Sequence, residues 1–591
     1  MAGIFQKAKD FLTYQEPKNE EHGFELSDGE NEGQMNPSDS GAPGGKNNSA
    51  QQDNKNKQRS GGRDARQKKS RFSRQEKDDS TDEGSNEQCR PPKDPEFISD
   101  KLCDNIETIR QKFHMPRNQD IFITEFKIGW KLPACICYIE GMVDRNTINL
   151  SLYPPLMSRE ILNEIGRRCP IDVLIDSVLT IHKVRKSRQF TDLVLQMLSG
   201  ASLLFIDGCS ECAVIDTVGY KTRNIEQPVT EKVVKGSQEG FTENYRTNIT
   251  MLRRIIKNEN FIVETMTVGK ADNNTIAITY HDEIADPRIV QEVKKRINRI
   301  NADFVPGVGI LEQYIEDNSF MLFPQTIATE RPDRAASFIM EGQVVIFGEG
   351  TPFGLSVPVT FFRLLHSSED TNARWIFGTF LRLVRIFGLF CATFLPGLYT
   401  AIVMFHPEVI PTELLISITQ AKEPVPFPAI VEVLILEGSF ELIREGGIRV
   451  PTAIGQTLGI VGAIILGQAA VTAGLVSPVV VIIVSITALG SFTIPNYELG
   501  LAIRIERFLF IAVGAILGIY GVSLLIFVLA ILACSMKSFG VPFFSPVAPK
   551  TAASADIIVR KPIWAQKKRP DAAQSTNRQR QGDNVKNWSQ E

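Results

Sequence analysis

The chain has 591 residues, 65 basic and 68 acidic side chains and a formal net charge of −3. That length exceeds one ordinary domain, and the near-balance of charge excludes the broad basic footprint of a nucleic-acid-binding protein. Nine cysteines, two of them (Cys391 and Cys534) inside apolar blocks, do not make a disulfide framework and place the polar part in a reducing compartment.

Residues 1–94 are mostly Gly, Ser, Asn, Gln and charged residues. Such a composition cannot offset the entropy of ordering, so a disordered tail is expected. The opening MAGIFQKAKDFLTYQEP lacks a signal-peptide core, which keeps the polar part on the cytoplasmic side. The basic run Arg59–Arg74 is balanced by DDSTDE and reads as solvated.

Order begins near Pro95. FISDKLCDNIETIRQKF places Leu102, Ile106, Ile109 and Phe113 on one helical face behind Ser99 as N-cap. DIFITEFKIG and KLPACICYIEGMVD read as strands and SREILNEIGRR as a helix, giving a small α/β subdomain over 95–185. A second, over 186–362, opens with the strands SLLFIDG and AVIDTVGY, joined at Gly208-Cys209-Ser210. The helix EGFTENYRTNITMLRRIIKN follows, then a hairpin across Asp272-Asn273-Asn274. PRIVQEVKKRINRI aligns Ile289, Val293, Ile297 and Ile300, and QVVIFGEGTPFGLSVPVTFF adds two strands. These passes predict one layered sheet with helices on one side.

Candidate chemistry in this half is thin. Cys209-Ser-Glu-Cys212 has zinc or redox spacing but no second pair, and Cys135-x-Cys137 points both thiols to one sheet face; buried reduced thiols are expected at both. GEGTPFG is not a phosphate loop. His114, His182, His281, His366 and His406 are scattered. No catalytic residue, cofactor site or metal site is nominated, and the chain is not expected to be an enzyme.

Beyond Ile386 the chain turns apolar. Ile386–Phe405, Ile454–Leu475, Pro478–Phe492 and Phe508–Met536 carry no charged side chain and are expected as four membrane spans within a domain over 363–549. Arg363, Arg374, Arg382 and Arg385 precede the first span. The polar tail over 550–591 holds Lys550, Arg560, Lys561, Lys567, Lys568 and Arg569. Both termini are therefore expected inside, with an even number of crossings. Pro428–Ile443, with Glu432, Glu437 and Glu441, is expected as a re-entrant or interfacial helix. The alternative is six crossings, with that segment spanning and the last block folded as a hairpin. The block's lack of a polar turn argues against six; Arg504 and Arg507 on the outer side argue against four. The three glutamates suit either a cation path or interfacial pairing with Arg444 and Arg449. Gly455, Gly459 and Gly462, and again Gly514, Gly518 and Gly521, make smooth helix-packing faces. Gln456, Thr457, Gln468, Thr472 and Ser477 suit helix–helix hydrogen bonds or a pore lining. Intramembrane charge pairs of the kind a coupled transporter carries are not expected. The fold class is thus a polytopic α-helical membrane domain preceded by two cytoplasmic α/β subdomains and a disordered N-terminal tail.

Several strings together carry a family resemblance. They are Glu239-Gly-Phe-Thr-Glu-Asn244 with Arg246-Thr-Asn248, Thr329-Glu-Arg-Pro-Asp-Arg334, Thr351-Pro-Phe353 and Pro358-Val-Thr-Phe-Phe362. Further on come Phe405-His-Pro-Glu-Val-Ile-Pro-Thr-Glu-Leu414, Ile454-Gly-Gln456, Gly467-Gln-Ala-Ala470, Gly474-Leu-Val-Ser-Pro478, Ile494-Pro-Asn-Tyr497 and Ser538-Phe-Gly-Val-Pro542. From about Ser187 to about Pro549 the chain resembles the A-subunit family of GerA-type spore germinant receptors, which includes a stage V sporulation protein. The resemblance implies nutrient-triggered spore germination in the spore inner membrane. It implies partners, a transporter-like B subunit that senses the germinant and a C lipoprotein. It also implies a homo-oligomer that forms a ligand-gated channel for monovalent cations, with no cofactor and no nucleic acid. On that reading Ile454–Leu475 lines the pore through Gln456, Val461, Ile464 and Gln468, closing by dewetting. A non-conducting scaffold for germination complexes, or a sporulation-specific membrane protein, are the alternatives.

Overall fold

The computed structural model describes residues 96–159, 170–175, 183–219, 227–228, 230–449, 467–550, 557–570 and 573–582. The N-terminal tail, the SREILNEIGRR helix beyond Arg159 and most of the Ile454–Leu475 block lie outside them.

The first α/β unit is built on a five-stranded antiparallel sheet in the order β1-β2-β4-β5-β3. Its strands are β1 (Ile121–Ile128), β2 (Leu132–Ile139), β3 (Val184–Ser187), β4 (Ala201–Ile206) and β5 (Cys212–Asp216). Alternate side chains leave opposite faces. Cys135, Cys137, Leu203 and Phe205 pack on α1 (Leu102–Lys112) and α2 (Phe190–Leu198). Ala134, Ile136, Leu204 and Ile206 pack on Leu152, Leu156, Ile171 and Leu174.

The second unit repeats this plan. Its sheet runs β6-β7-β9-β10-β8, the same order counted from its own first strand. The strands are β6 (Phe261–Val268), β7 (Asn274–His281), β8 (Ile327–Thr329), β9 (Val344–Gly348) and β10 (Gly354–Val357). Val263, Ala277, Val345 and Phe347 face α3 (Tyr245–Ile255) and α6 (Pro332–Met340). Ile262, Ile276, Ile278 and Ile346 face α4 (Pro287–Arg299) and α5 (Val308–Ile315).

Two expectations are corrected here. The helices cover both faces of two separate sheets, not one side of one sheet. The boundary expected at 185/186 falls inside the first sheet, because β4 pairs with β2 and β5 pairs with β3. Those ladders join residues tens of positions apart, and local patterning cannot specify them. The two units are joined by Arg253 on α3, whose guanidinium donates to both carboxylate oxygens of Asp120 at 2.8 Å and to Asn118 at 3.1 Å.

The helical unit comprises α7 (Trp375–Phe405), α8 (Thr412–Lys422), α9 (Ala429–Arg449), α10 (Pro478–Phe492) and α11 (Tyr497–Ser535). Two described helices, α7 and α11, are long and apolar enough to cross a membrane; α10 is apolar but shorter. α10 runs antiparallel to α7, with Gly490 set against the Gly388 carbonyl. α11 starts parallel to α7: Arg507 lies beside Ala392, Gly514 beside Gly397, and Gly518 beside Phe405 and His406.

At Gly518 the helix breaks, with φ 64 and ψ −150. A left-handed φ followed by an extended ψ is open to glycine and strained for other residues. A Cβ on Gly521 would meet Val513 Cγ1 at 2.8 Å. Residues eight apart sit about 12 Å apart along a straight helix, so the chain has reversed. Val522, Leu525 and Leu529 pack back on Phe394, Ala401 and Phe510, and Met536 returns to the core that holds Ile386 and Leu389. Phe508–Met536, expected as one straight span, is therefore most of a helical hairpin. Gly514, Gly518 and Gly521 do not form one smooth face: Gly518 is the apex and the other two pack on different neighbours.

Candidate functional site: a buried charge ladder between helices

α9 carries Glu437, Glu441 and Arg444 at helical spacing, so all three project to one side. Opposite them, α11 presents Arg504 and Arg507. Arg507 Nη1 donates to Glu437 Oε2 at 2.5 Å, and both side chains are fully buried. Its Nε donates to the Ala392 carbonyl of α7 at 3.0 Å. One guanidinium thus joins α7, α9 and α11. Arg504 bonds Glu441 at 3.1 Å, and Glu441 also lies 3.9 Å from Arg507.

This corrects two expectations. Arg444 and Arg449 are not the partners of the three glutamates: Arg444 lies over the Phe492 ring and reaches Ser491, while Arg449 pairs with Glu445. Charge pairs between the apolar helices, not expected from the sequence, are present. The signal was available in the i, i+4 carboxylates and the i, i+3 arginines. Nothing in a single sequence says that the two helices face each other.

Glu432 lies apart from the ladder, one helical turn and more toward the start of α9. It is fully buried, accepts the Ser477 amide at 2.8 Å and has the Lys422 ammonium 3.5 Å away. Gln468 is exposed. Gln456, Val461 and Ile464, with Gly455, Gly459 and Gly462, lie outside the described residues.

Several of the quoted strings form joints or helix caps. In Thr329–Arg334, Arg331 is fully buried and donates to the carbonyls of Glu231 and Ser237; Arg334 reaches the His366 carbonyl. Asn244 caps α3 and Asn496 caps α11. Ser538 Oγ donates to the Gln325 carbonyl at 2.7 Å and accepts the Val359 amide at 3.0 Å. Next to it, Arg296 lies 4.2 Å over the Phe539 ring. At the entry to α7, fully buried Asp370 gathers Arg382 and Arg385.

Electrostatics at these joints follow from burial. Burial pushes the Glu312 carboxyl up; Glu316 rises to about 7 through burial and the neighbouring Glu312 and Asp317. Burial, with Arg382 and Arg363 nearby, holds the His366 imidazole well below its ordinary value. Cys135, Cys137, Cys209 and Cys212 are buried free thiols, the first two 3.7 Å apart on one sheet face.

Comparison with known proteins gives a consistent picture. Residues 107–572 match the family described as Bacillus/Clostridium GerA spore germination protein. The chain is 39% identical over 491 residues to spore germination protein KA of Bacillus subtilis (strain 168), covering 83% of this chain and 89% of that one. It is 37% identical to the uncharacterized membrane protein YfkQ of the same organism, over 82% of this chain and 93% of that one. Among solved structures, the N-terminal domain of the A subunit of the Bacillus megaterium spore germinant receptor GerK3 shares 32% identity, covering 45% of this chain and 97% of that domain, with a TM-score of 0.37. With more than half its length matched, the chain belongs to the GerA spore germination protein family.

Proposed function

We propose that this chain is the A subunit of a nutrient germinant receptor, acting in spore germination as a multi-pass protein of the spore inner membrane. The observation that carries this reading is the family match over residues 107–572, joined by 39% identity to spore germination protein KA. The partners on this reading are a transporter-like B subunit, a lipoprotein C subunit, membrane lipid and further copies of this chain. The oligomer forms a ligand-gated channel that releases monovalent cations.

The helix directions favour six crossings over four. α7 leaves the α/β side, and α9 runs from Glu432 beside Ser477 to Arg444 beside Ser491, parallel to α10. Arg444 and Ser477 thus stand at opposite ends of α10, and on this reading the proposed span Ile454–Leu475 makes the crossing between them. The two halves of α11 then lead out and back. Six crossings also remove the objection that Arg504 and Arg507 sit on the outer side, because both are paired inside the bundle. Both termini stay on the α/β, cytoplasmic side, and the C-terminal segment supports this by returning to the second α/β unit, where Thr576 bonds the Ile284 carbonyl.

Ile454–Leu475 remains the proposed pore lining, through Gln456, Val461, Ile464 and Gln468. The test replaces Val461 or Ile464 by Ala or Ser in spores and records cation release without germinant. Leak, or altered release on stimulation, is the expected result; unchanged release and germination would remove this segment from the pore. Reconstituted conductance separates a channel from a scaffold. A deletion strain whose spores answer every nutrient normally would favour the sporulation-specific alternative.

A further inference from the structure

A second buried polar cluster lies apart from the charge ladder. Glu432 of α9 and Ser477 at the start of α10 are fully buried, and Tyr399 of α7 is 8% exposed. Ser477 is the N-cap residue of α10 with Pro478 behind it, a place where a serine hydroxyl ordinarily accepts a helix amide. Here it makes no capping bond. The Tyr399 hydroxyl lies near Glu432 and in loose contact with the Ser477 hydroxyl, outside strict hydrogen-bond limits. Glu432 Oε2 is satisfied by the Ser477 amide. That leaves Glu432 Oε1, Ser477 Oγ and Tyr399 Oη with no hydrogen-bond partner among the described residues. Lys422 Nζ stands 3.5 Å from Oε1, beyond ordinary bonding distance, on a side chain that is 23% exposed.

We propose that the oxygens of Glu432, Ser477 and Tyr399 bind one monovalent cation, for which the Lys422 ammonium is a tethered competitor. The donors are a carboxylate and two hydroxyls, with no thiol or imidazole, a set that suits hard cations. One formal negative charge matches one positive charge; a divalent ion would leave an uncompensated charge in a buried place. A buried oxygen left without a full hydrogen bond costs up to about 1–3 kcal/mol, so a ligand that completes the shells of these oxygens is favoured. Lys422 closes α8 and reaches solvent, so its ammonium can leave when the ion enters. The site does not require conduction: a chain that binds the ion and fails to conduct leaves it intact.

The test uses the purified full chain in detergent. Its thermal unfolding midpoint is titrated with potassium, rubidium or sodium chloride at constant ionic strength, balanced by N-methyl-D-glucamine chloride, whose cation is too large for the site. A saturable rise with a small monovalent cation is expected. Tyr399→Phe and Ser477→Ala, which remove one oxygen each and leave the carboxylate and backbone bond in place, should each weaken the half-saturating concentration about ten-fold, the effect of one lost interaction of ~1.4 kcal/mol. Lys422→Met should tighten it. A midpoint indifferent to cation identity would show that the oxygens hold water only and overturn the site. Wild-type cation dependence in Tyr399→Phe and Ser477→Ala would overturn it too, as would an unchanged half-saturation in Lys422→Met.

Discussion

Arg507 sits where three helices meet, and its energetics differ from those of a surface pair. Taking both charges out of water is expensive, so the Glu437–Arg507 pair adds little net stability. Removing one partner is another matter, because the survivor stays buried at 0% exposure. Arg507→Met should lower the stability of the full chain by about 3–5 kcal/mol. Glu437→Leu with Arg507→Met should recover most of that loss. The check is the unfolding midpoint of both variants in detergent; equal losses would remove the pair from this role. Glu316 offers a pH-dependent counterpart in the α/β half. Its folded-state value is raised from 4.5 to about 7, so the folded chain holds a proton that the unfolded chain releases between those limits. Stability should therefore fall as pH rises from 4.5 to 7, and the penalty is fully present above 7. Glu316→Gln should flatten that limb relative to wild type, measured as the midpoint against pH. Parallel curves would show that the group is not buried enough to matter. At this scale the sequence was half legible. The acidic residues of α9 could be flagged as unusual among apolar neighbours, whereas their partners lie 63 and 70 positions away and left no local mark.

Periodicity served the elements well where one face alone is buried. The stripe Ile289, Val293 and Ile297 of α4 packs as expected, and so do Leu102, Ile106 and Ile109 of α1. It failed in Phe508–Met536. An apolar block that turns inside an apolar environment needs no polar turn, so the usual sign of a hairpin is missing. The one residue that permits the reversal, Gly518, looked like part of a packing stripe. Gly518→Val tests this assignment. A Cβ there meets His406 Nε2 at 3.1 Å and Phe405 Cβ at 3.2 Å, on a backbone at φ 64. Left-handed backbone alone costs about 1–2 kcal/mol for a residue with a side chain. A clear drop in the unfolding midpoint is expected for Gly518→Val, with a smaller one for Gly518→Ala. A midpoint unchanged in both would mean that the helix continues straight.

Across the whole molecule, the α/β units and the helices are tied at both ends of the helical unit. The entry is the Asp370 cluster with Arg382 and Arg385. The exit is the turn after α11, where Ser538 holds the Gln325 carbonyl and the Val359 amide, and Phe543 packs on Phe323 and Phe361. The C-terminal segment, expected as a plain polar tail, then doubles back over the entry. Arg560 donates to the carbonyls of Thr371 and Ala373 just before α7, and Arg569 donates to the Met340 carbonyl at the end of α6. Composition could not reveal this, because arginines that bind backbone carbonyls look like any solvated basic run. The C-terminal segment thus bonds both the start of α7 and its approach, through Thr371, Ala373 and Thr379, and the second α/β unit, through Met340. Arg560→Ala removes the charge-assisted bonds to the Thr371 and Ala373 carbonyls, each of about 1.5–3 kcal/mol, and the packing of the side chain on Gly378 of α7, while the Asp370 pairs with Arg382 and Arg385 stay in place. Its expected effect is local: faster proteolysis between His366 and Arg374, with the unfolding midpoint of the rest lowered less than by Arg507→Met. If the proposed receptor role holds and this joint couples the helices to the α/β half, the same variant in spores should alter the rate of germination more than the amount of protein in the membrane. Normal proteolysis together with a normal response would show that the segment rests on the α/β half without holding it.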